Sequence, residues 1–441
     1  MAPMPLARIA WRNVRKNWRH SLGSMLSIVV GFVAIALFQG YLADLEGIQI
    51  AWMEQKSMIG SVIVEKRGAS GSEGRQDPLA FALTREDQSF VDAFLRTRAA
   101  DVVTRMRVLQ VAGMVSAGRT GVMFVGWGHD VEEGARMRGP WEWNAVGGRP
   151  LQLAAPDSVL LGGGLGRLLD CQGPPVSSAV GPGGGFIAAE RPLSCRQPRV
   201  QLAATTVSGQ LNAVEPTVAG VFDMGVAELD SRFVMMPLPL AQRLLDTDHV
   251  SFYTVALTGD TAAAAGFAAA LSAEARARGL DIVAIPWREH ASGELYRRGM
   301  GVLGAYRVLV IFVVVVIAGM SVFTTMLKAV NERVREIGML RSLGFRRRQV
   351  VRLFTLEGGF LALLSSAVGI VVAATVIASV NAAGISYTAG VTSQPILLTV
   401  SLLPGVVIGA SALLAGIAVF AAFFPARRAA RLAIPDALGH A

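Results

Sequence analysis

Few residues of this chain have types and spacings that could support catalysis. The five histidines (His20, His129, His249, His290 and His440) never recur at a metal-ligand spacing, and neither Gly-x-Ser-x-Gly nor His-Glu-x-x-His occurs. The glycine-rich pieces Gly162–Gly166 and Gly181–Gly185 lack the Gly-Lys-Ser/Thr ending of a phosphate-binding loop. The sequence therefore predicts no catalytic residue, no metal site and no cofactor held by this chain.

The basic stretch 328–356 has a pattern suited to binding a partner. Apolar residues recur at three-residue steps (Val334, Ile337, Leu340 and Leu343), charged residues lie between them, and Gly344 ends the run. This spacing predicts a short amphipathic helix that could dock in a groove of a partner protein. A membrane-surface loop whose arginines only set topology fits the same residues, and both interpretations stay open.

Two cysteines, Cys171 and Cys195, flank a Gly- and Pro-rich segment with little intrinsic order. In an oxidising compartment they could form a disulfide, which would constrain the unfolded chain by about 3 kcal/mol on the chain-entropy model. Two buried free thiols are the alternative.

The elements around these residues follow from hydropathy. The 441 residues are 52% hydrophobic and 17% charged, and uncharged windows cover 21–43, 308–327 and 358–426, the last being long enough for two crossings. The predicted boundaries are a cytoplasmic amphipathic helix 1–20, transmembrane helices 21–43, 301–327, 357–380 and 396–424, an outer domain with a stalk at 44–300, a cytoplasmic loop 328–356, an outer loop 381–395 and a cytoplasmic tail 425–441.

Charge distribution sets the expected orientation. The whole chain has a net charge of +9. The amino-terminal arm, the loop 328–356 and the tail are rich in Lys and Arg, whereas the long middle segment is slightly acidic. By the positive-inside rule both termini are cytoplasmic and the middle segment lies outside. Because the excess positive charge is confined to the membrane flanks, nucleic acid is excluded as a partner.

The outer segment is predicted to be a mixed α+β domain. Short runs rich in Val, Phe and Thr predict strands at 60–66, 105–115, 122–127, 200–206, 217–222, 232–236 and 251–257. Helices are predicted after Thr84 and at 158–169, 238–245 and 261–278.

The stretch Asn331–Gly358, with the core Glu-Arg-Val-Arg-Glu-Ile-Gly-Met-Leu-Arg-Ser-Leu-Gly, resembles the signature of the FtsX-like permeases of ABC transporters. Residues 159–169 and 218–245 resemble a MacB-type periplasmic domain, closest to the lipoprotein-releasing branch. The resemblance implies four transmembrane helices, with the α+β periplasmic domain inserted between the first and second. The Cys171–Cys195 insert and the absence of a fused ATPase depart from the MacB pattern.

The resemblance also implies partners and site residues. A cytoplasmic ATPase dimer would bind ATP and Mg²⁺, and a second permease chain, identical or different, would complete the complex. The expected ATPase-coupling residues are Glu336, Gly338, Arg341, Leu343, Gly344 and Phe345. Glu357 would lie at the start of the third transmembrane helix, either as a functional intramembrane group or paired with a base such as Arg352.

The function implied is mechanotransmission: ATP hydrolysis on the partner drives extraction of a lipoprotein or another amphipathic substrate on the periplasmic side of a bacterial inner membrane. A substrate cavity is expected between the first two transmembrane helices, lined by Val29, Phe32, Ile35, Phe38, Ile311, Val315 and Phe323. Two alternatives remain: export of a peptide, antibiotic or toxin with an outer-membrane partner, and regulation of a cell-wall hydrolase without transport.

Overall fold

Uncharged stretches of the sequence form long helices in the computed structural model, which describes residues 6–16, 21–139, 145–173, 192–223, 227–259, 261–387 and 396–431. The helices are α1 (Leu6–Lys16), α2 (Leu22–Ala51), α3 (Ser72–Gln76), α4 (Arg85–Thr97), α5 (Val131–Arg138), α6 (Gly163–Leu168), α7 (Ala227–Asp230), α8 (Leu238–Leu245), α9 (Thr261–Ala277), α10 (Glu294–Glu332), α11 (Val334–Ser342), α12 (Arg347–Ala383) and α13 (Pro404–Ala429).

The strands are β1 (Val62–Lys66), β2 (Val102–Ala117), β3 (Thr120–His129), β4 (Ala145–Gly148), β5 (Ser158–Gly162), β6 (Cys171–Gln172), β7 (Ser194–Cys195), β8 (Gln201–Thr205), β9 (Leu211–Val214), β10 (Thr217–Phe222), β11 (Phe233–Pro237), β12 (Phe252–Leu257), β13 (Ile282–Pro286), β14 (Ser386–Tyr387) and β15 (Ile396–Leu397). A single π-helical turn, Trp52–Lys56, continues α2.

The chain divides into two units, a membrane unit (1–46, 300–385 and 397–441) and an outer unit (47–299 and 386–396). Among the described residues, four helices are long and apolar enough to cross a bilayer: α2, α10, α12 and α13. Strands β1 to β13 lie between α2 and α10 in the chain, and β14 and β15 follow α12. The predicted fold class is therefore confirmed. Of the predicted segments, residues 1–5, 17–20, 388–395 and 432–441 lie outside the described residues.

Small residues on α12 allow the membrane helices to pack closely. Gly358, Ala362, Ser365, Gly369 and Ala373 follow one another at three- and four-residue steps, and all five are buried. A Cβ on Gly358 would lie 2.9 Å from the Cβ of an alanine on α13, and one on Gly369 would lie 2.9 Å from the ring of a phenylalanine on α2. Small residues at this spacing let helix backbones approach where no water drives association.

The outer unit is built on a mixed sheet in the order β13-β1-β12-β2-β3-β11-β5-β10-β4, with β8 beside β2 and β9 beside β8. Because side chains alternate along a strand, β2 contributes residues to a hydrophobic cluster on each face of the sheet. Leu109 and Val111 belong to the cluster that α4, α8 and α9 cover, and Met106 and Val108 belong to the cluster that includes α5. Thr84 begins α4 with a capping box, as its residue type predicts.

Candidate functional site

The candidate site lies in the membrane unit, at the junction of α10 and α11. The long helix α10 ends at Glu332, and Arg333 leaves helical geometry (φ −113°, ψ 19°) before α11 begins at Val334. A single non-helical residue therefore forms the elbow between the transmembrane helix and the short amphipathic one. The side chain of that residue is the centre of the site.

Arg333 contacts two carboxylates from different elements. Its Nε donates to Oε2 of Glu336 on α11 at 2.8 Å, and its Nη1 donates to both carboxylate oxygens of Glu357 on α12, at 3.3 and 3.2 Å. The guanidinium also lies 5.5 Å from the ring centroid of Phe354, an arrangement that favours a cation–π contact. One cation thus connects the elbow, α11 and α12.

Glu357 is buried, with 7% of its side chain exposed, and it has a second polar partner. Nδ2 of Asn13, on α1, donates to its Oε1 at 2.5 Å. The sequence suggested Arg352 as the pairing base, but the structure pairs Glu357 with Arg333. Positions five residues apart on one helix point about 140° away from each other, so Arg352 does not face this carboxylate.

The predicted coupling residues divide by burial. Gly338 is buried and Phe345 packs at the edge of the small cluster that includes Ile337 of α11, so these fix the helix to the bundle. Glu336 and Leu343 are exposed, the latter by 74%, and Arg341 is half-exposed.

Gly344 ends α11 in the left-handed region at φ +94°, a conformation that favours glycine. The structure therefore leaves part of α11, including Leu343, open to a partner. Whether an ATPase binds there remains a prediction.

The opposite end of α10 is anchored within the outer unit. The rings of Trp287 and Tyr296 meet edge to face at 4.9 Å, and Nε1 of Trp287 donates to Glu54 Oε1 at 2.7 Å. Nη1 of Arg297 donates to the carbonyl oxygen of His290 at 3.0 Å. The first turns of α10 are thus held within the outer unit, and Arg333, the residue that follows its last turn, is held within the membrane unit.

The residues predicted to line a substrate cavity are not gathered in one place. Phe32 and Ile35 are buried in the core of the membrane unit, while the other five residues are half-buried or exposed (Val29, Phe38, Ile311, Val315 and Phe323). Val315 and Phe323 line an open apolar groove of about 950 Å³, which lies between α10 and α13 rather than between α2 and α10. A cavity for substrate stays a prediction.

In the outer unit, Cys171 on β6 is bonded to Cys195 on β7, and the two residues face each other across that short antiparallel pair. Residues 174–191, most of the segment that the bond closes, lie outside the described residues. Among the described residues, no group of three or more His, Cys, Asp or Glu side chains is arranged to hold a metal ion.

Comparison with known proteins bears mainly on the part of the chain that contains the elbow. Residues 308–434 match the family model described as FtsX-like permease C-terminal. The chain contains an FtsX-like permease domain. That domain includes the second half of α10, the elbow, α11, α12 and α13, and therefore Arg333 and Glu357.

This chain is similar to several curated proteins over part of its length. It is 31% identical to the ABC transporter permease YtrF of Bacillus subtilis (strain 168) over 130 residues, 29% of this chain and 30% of the relative. It is 29% identical to the pyoverdine export ATP-binding/permease protein PvdT of Pseudomonas entomophila (strain L48) over 210 residues, 47% of this chain and 26% of the relative. It is 35% identical to the macrolide export ATP-binding/permease protein MacB of Shewanella sp. (strain ANA-3) over 123 residues, 28% of this chain and 17% of the relative. The chain thus spans less than a third of each relative's length.

The solved structures similar to this chain include the periplasmic region of MacB from Actinobacillus actinomycetemcomitans. At 10% identity, that match covers 55% of this chain and 94% of the other, with a TM-score of 0.33. A likeness of that strength adds nothing to the fold described above.

Of the side chains that meet at the elbow, the sequence indicates Glu336 and Glu357 but not Arg333 or Asn13. Arg333 stood among eight bases of one loop, and its sequence position does not distinguish it from them. Asn13 lies 344 residues from its partner, and no local pattern connects the two.

Proposed function

We propose that this chain is the membrane permease subunit of an ABC transporter that works by mechanotransmission. A separate cytoplasmic ATPase dimer would bind ATP with Mg²⁺, dock on α11 and drive movements of the outer unit through α10. Two permease chains would form the complex in a bacterial inner membrane, with both termini cytoplasmic and the outer unit periplasmic. The similarity of residues 308–434 to FtsX-like permeases supports the type of transporter.

The observation that carries the mechanism is the continuity of α10. Its 39 residues give a helix about 58 Å long, well beyond the bilayer core of about 30 Å. It begins among anchoring contacts of the outer unit and ends one residue before α11, where Arg333 joins the two helices. A displacement of α11 is therefore delivered to one end of an unbroken helix.

Three glycines near the outer end of α10 provide the test. Gly299, Gly301 and Gly304 lower the helix propensity of this part, and a Cβ at any of them would meet no atom within 4 Å. We expect Gly304→Ala to preserve substrate-stimulated ATPase activity, because it strengthens the helix without a clash. Gly304→Pro interrupts the helix at the same position and should abolish stimulation while leaving ATPase co-purification intact.

The measurement is ATPase activity of the reconstituted complex, with and without substrate, beside the amount of ATPase that co-purifies. If the proline variant is stimulated as strongly as the alanine variant, α10 does not transmit the movement. If wild-type chain retains no ATPase at all, the assignment to an ABC transporter fails.

For the substrate, we propose a lipid-anchored or amphipathic molecule extracted from the outer leaflet. Each buried methylene contributes about 0.8 kcal/mol to membrane retention, so extraction of a multiply acylated molecule needs an external energy source. The names of two relatives favour a second candidate, export of a small molecule, since they describe macrolide and pyoverdine export. ATPase stimulation by a lipoprotein, a macrolide or a siderophore separates the two.

A further inference from the structure

A buried carboxylate lies at the centre of a polar cluster in the membrane unit. We call it the elbow clamp: Asn13 of α1, Arg333 of the α10–α11 elbow and Glu357 of α12. Seventeen per cent of the Arg333 side chain and 7% of the Glu357 side chain are exposed. Burying two opposite charges costs desolvation that apolar residues of similar size would avoid, so a pair in this position needs an account other than stability.

The geometry of the clamp ties three segments that are distant in sequence. Glu357 Oε1 accepts from both Asn13 and Arg333, and its Oε2 accepts from Arg333 alone. The carboxylate of α12 is therefore held from α1 on one side and from the elbow on the other. Losing any one of the three partners leaves a buried polar group without its bond.

A second contact places α1 in the same assembly. The rings of Trp11 on α1 and Phe360 on α12, one turn beyond Glu357, meet edge to face with centroids 5.8 Å apart. Ala10 and Val14 of α1 are buried. The amphipathic amino-terminal helix thus packs its apolar side on α12 within the unit, with Asn13 directed at the buried carboxylate.

We infer that Arg333 and Asn13 are positioning residues, which make α1, the elbow and α12 move as one body and thereby fix the direction in which α11 faces its partner. This inference rests on the proposed function, because it assigns the orientation of the docking helix to the clamp. It adds α1 to the set of elements that carry the movement.

Glu332 provides a matched control. It carries the same carboxylate and precedes Arg333 directly, but 47% of its side chain is exposed and its ion-pair partner is the exposed Lys328, 3.9 Å away on the same helix. An exposed pair of this kind contributes little, since solvent screens it. The clamp therefore predicts opposite outcomes for the same substitution at Glu332 and Glu357.

The experiment uses the full chain, co-expressed with its ATPase and reconstituted in liposomes. We expect Glu357→Gln to lower substrate-stimulated ATPase activity about tenfold, a change within the range known for residues that couple sites, while Glu332→Gln stays within about twofold of wild type. Both variants should co-purify the ATPase in similar amounts, since neither removes the exposed surface of α11. Equal activity of the two variants would overturn the inference.

A second measurement reports the clamp without the ATPase. In the double variant Trp11→Cys, Phe360→Cys, the rate of oxidative cross-linking reports how much of the time α1 is in contact with α12. The two native cysteines do not interfere, because they are already bonded to each other. Adding Glu357→Gln should slow cross-linking several-fold, and adding Glu332→Gln should leave it unchanged. Unchanged cross-linking with Glu357→Gln would show that the clamp does not hold α1.

If Glu357→Gln fails to reach the membrane fraction, Asn13→Leu decides, because it leaves both charges in place. Asn13→Leu should reduce both the stimulation of ATPase activity and the rate of cross-linking. Arg12→Leu, at the exposed neighbouring position, should reduce neither. Equal effects of the two variants would also overturn the inference. If wild type co-purifies no ATPase, the proposed function fails on that result alone, and the cross-linking arm still tests the clamp.

Discussion

His129 gives the outer unit a stability that depends on pH. This residue ends β3, is 1% exposed, and its Nδ1 has no hydrogen-bond partner among the described residues. Burial, and to a smaller extent the guanidinium of Arg138, lower the pKa of His129 from 6.5 to about 3. Between about pH 6.5 and pH 3 the folded unit therefore keeps this imidazole neutral, whereas the unfolded chain protonates it.

The sign and size of the effect follow from proton linkage. Between about pH 6.5 and pH 3 the unfolded chain binds a proton at His129 and the folded chain does not, so stability falls as pH falls. Each pH unit in that window costs about 1.4 kcal/mol, which makes the loss from this residue about 2 kcal/mol between roughly pH 7 and pH 5. For a unit of this size, that is a fall in Tm of about 4–8 °C.

Thermal unfolding of the full chain in detergent at both pH values measures the effect. We expect His129→Leu to reduce the pH-dependent fall in Tm by about 4–8 °C, whatever its effect on the Tm at neutral pH. The control is His249→Gln, at a half-exposed histidine, which should keep the wild-type pH dependence. The reasoning is refuted if wild type and His129→Leu lose the same Tm on acidification.

Three further predictions concern other parts of the chain. Replacing both Cys171 and Cys195 by Ser should lower the free energy of unfolding of the outer unit by about 3 kcal/mol, measured by denaturant titration, and adding reductant to the double variant should change nothing more. Gly128→Ala would place a Cβ 2.1 Å from the Cβ of an alanine on α8, so we expect the free energy of unfolding to fall by about 1–3 kcal/mol, measured by thermal unfolding. Gly266→Ala is the control: a Cβ there meets no atom within 4 Å, so the variant should be as stable as wild type or more stable. Leu343→Asp should leave the Tm unchanged and reduce ATPase co-purification about tenfold or more, since this side chain is 74% exposed on α11; undiminished co-purification would remove Leu343 from the docking surface.

Sequence patterns identified the elements that depend on local signals. The four membrane helices follow from long uncharged runs, α8 has the predicted limits, and α4 begins where a threonine precedes a helical pattern. All seven predicted outer strands lie within a few residues of observed ones, because runs rich in Val, Phe and Thr are bounded there by turn residues, whereas the short strands β4, β6, β7 and β9 have no predicted counterpart.

The errors occur where a short apolar run fits two structures. Residues 158–169 were predicted to form one helix, but they form the buried strand β5 followed by the short helix α6. A fully buried strand shows no alternation of polar and apolar residues, so periodicity does not distinguish it from a buried helix. The strand β13 was missed, and α10 begins at Glu294, eight residues after that strand ends.

The elbow clamp illustrates a different limit. Glu357 is conspicuous in the sequence because it lies at the start of an apolar helix, whereas its partners belong to elements 24 and 344 residues away. Which of many arginines meets a buried carboxylate depends on how helices pack, and the stripe of small residues on α12 that sets this packing was not interpreted from the sequence.

The antiparallel pairing of β1 with β13 affects how chains with this order of elements can evolve. The first and last long strands of the outer unit are antiparallel neighbours, with Val62 opposite Pro286. The polypeptide therefore arrives at this unit and departs from it at adjacent points of one sheet, the geometry in which a whole domain is tolerated as an insertion between two helices. The outer unit can accordingly be exchanged for another domain whose ends have the same spacing while the helices of the membrane unit keep their sequence, so that the two units are free to diverge separately.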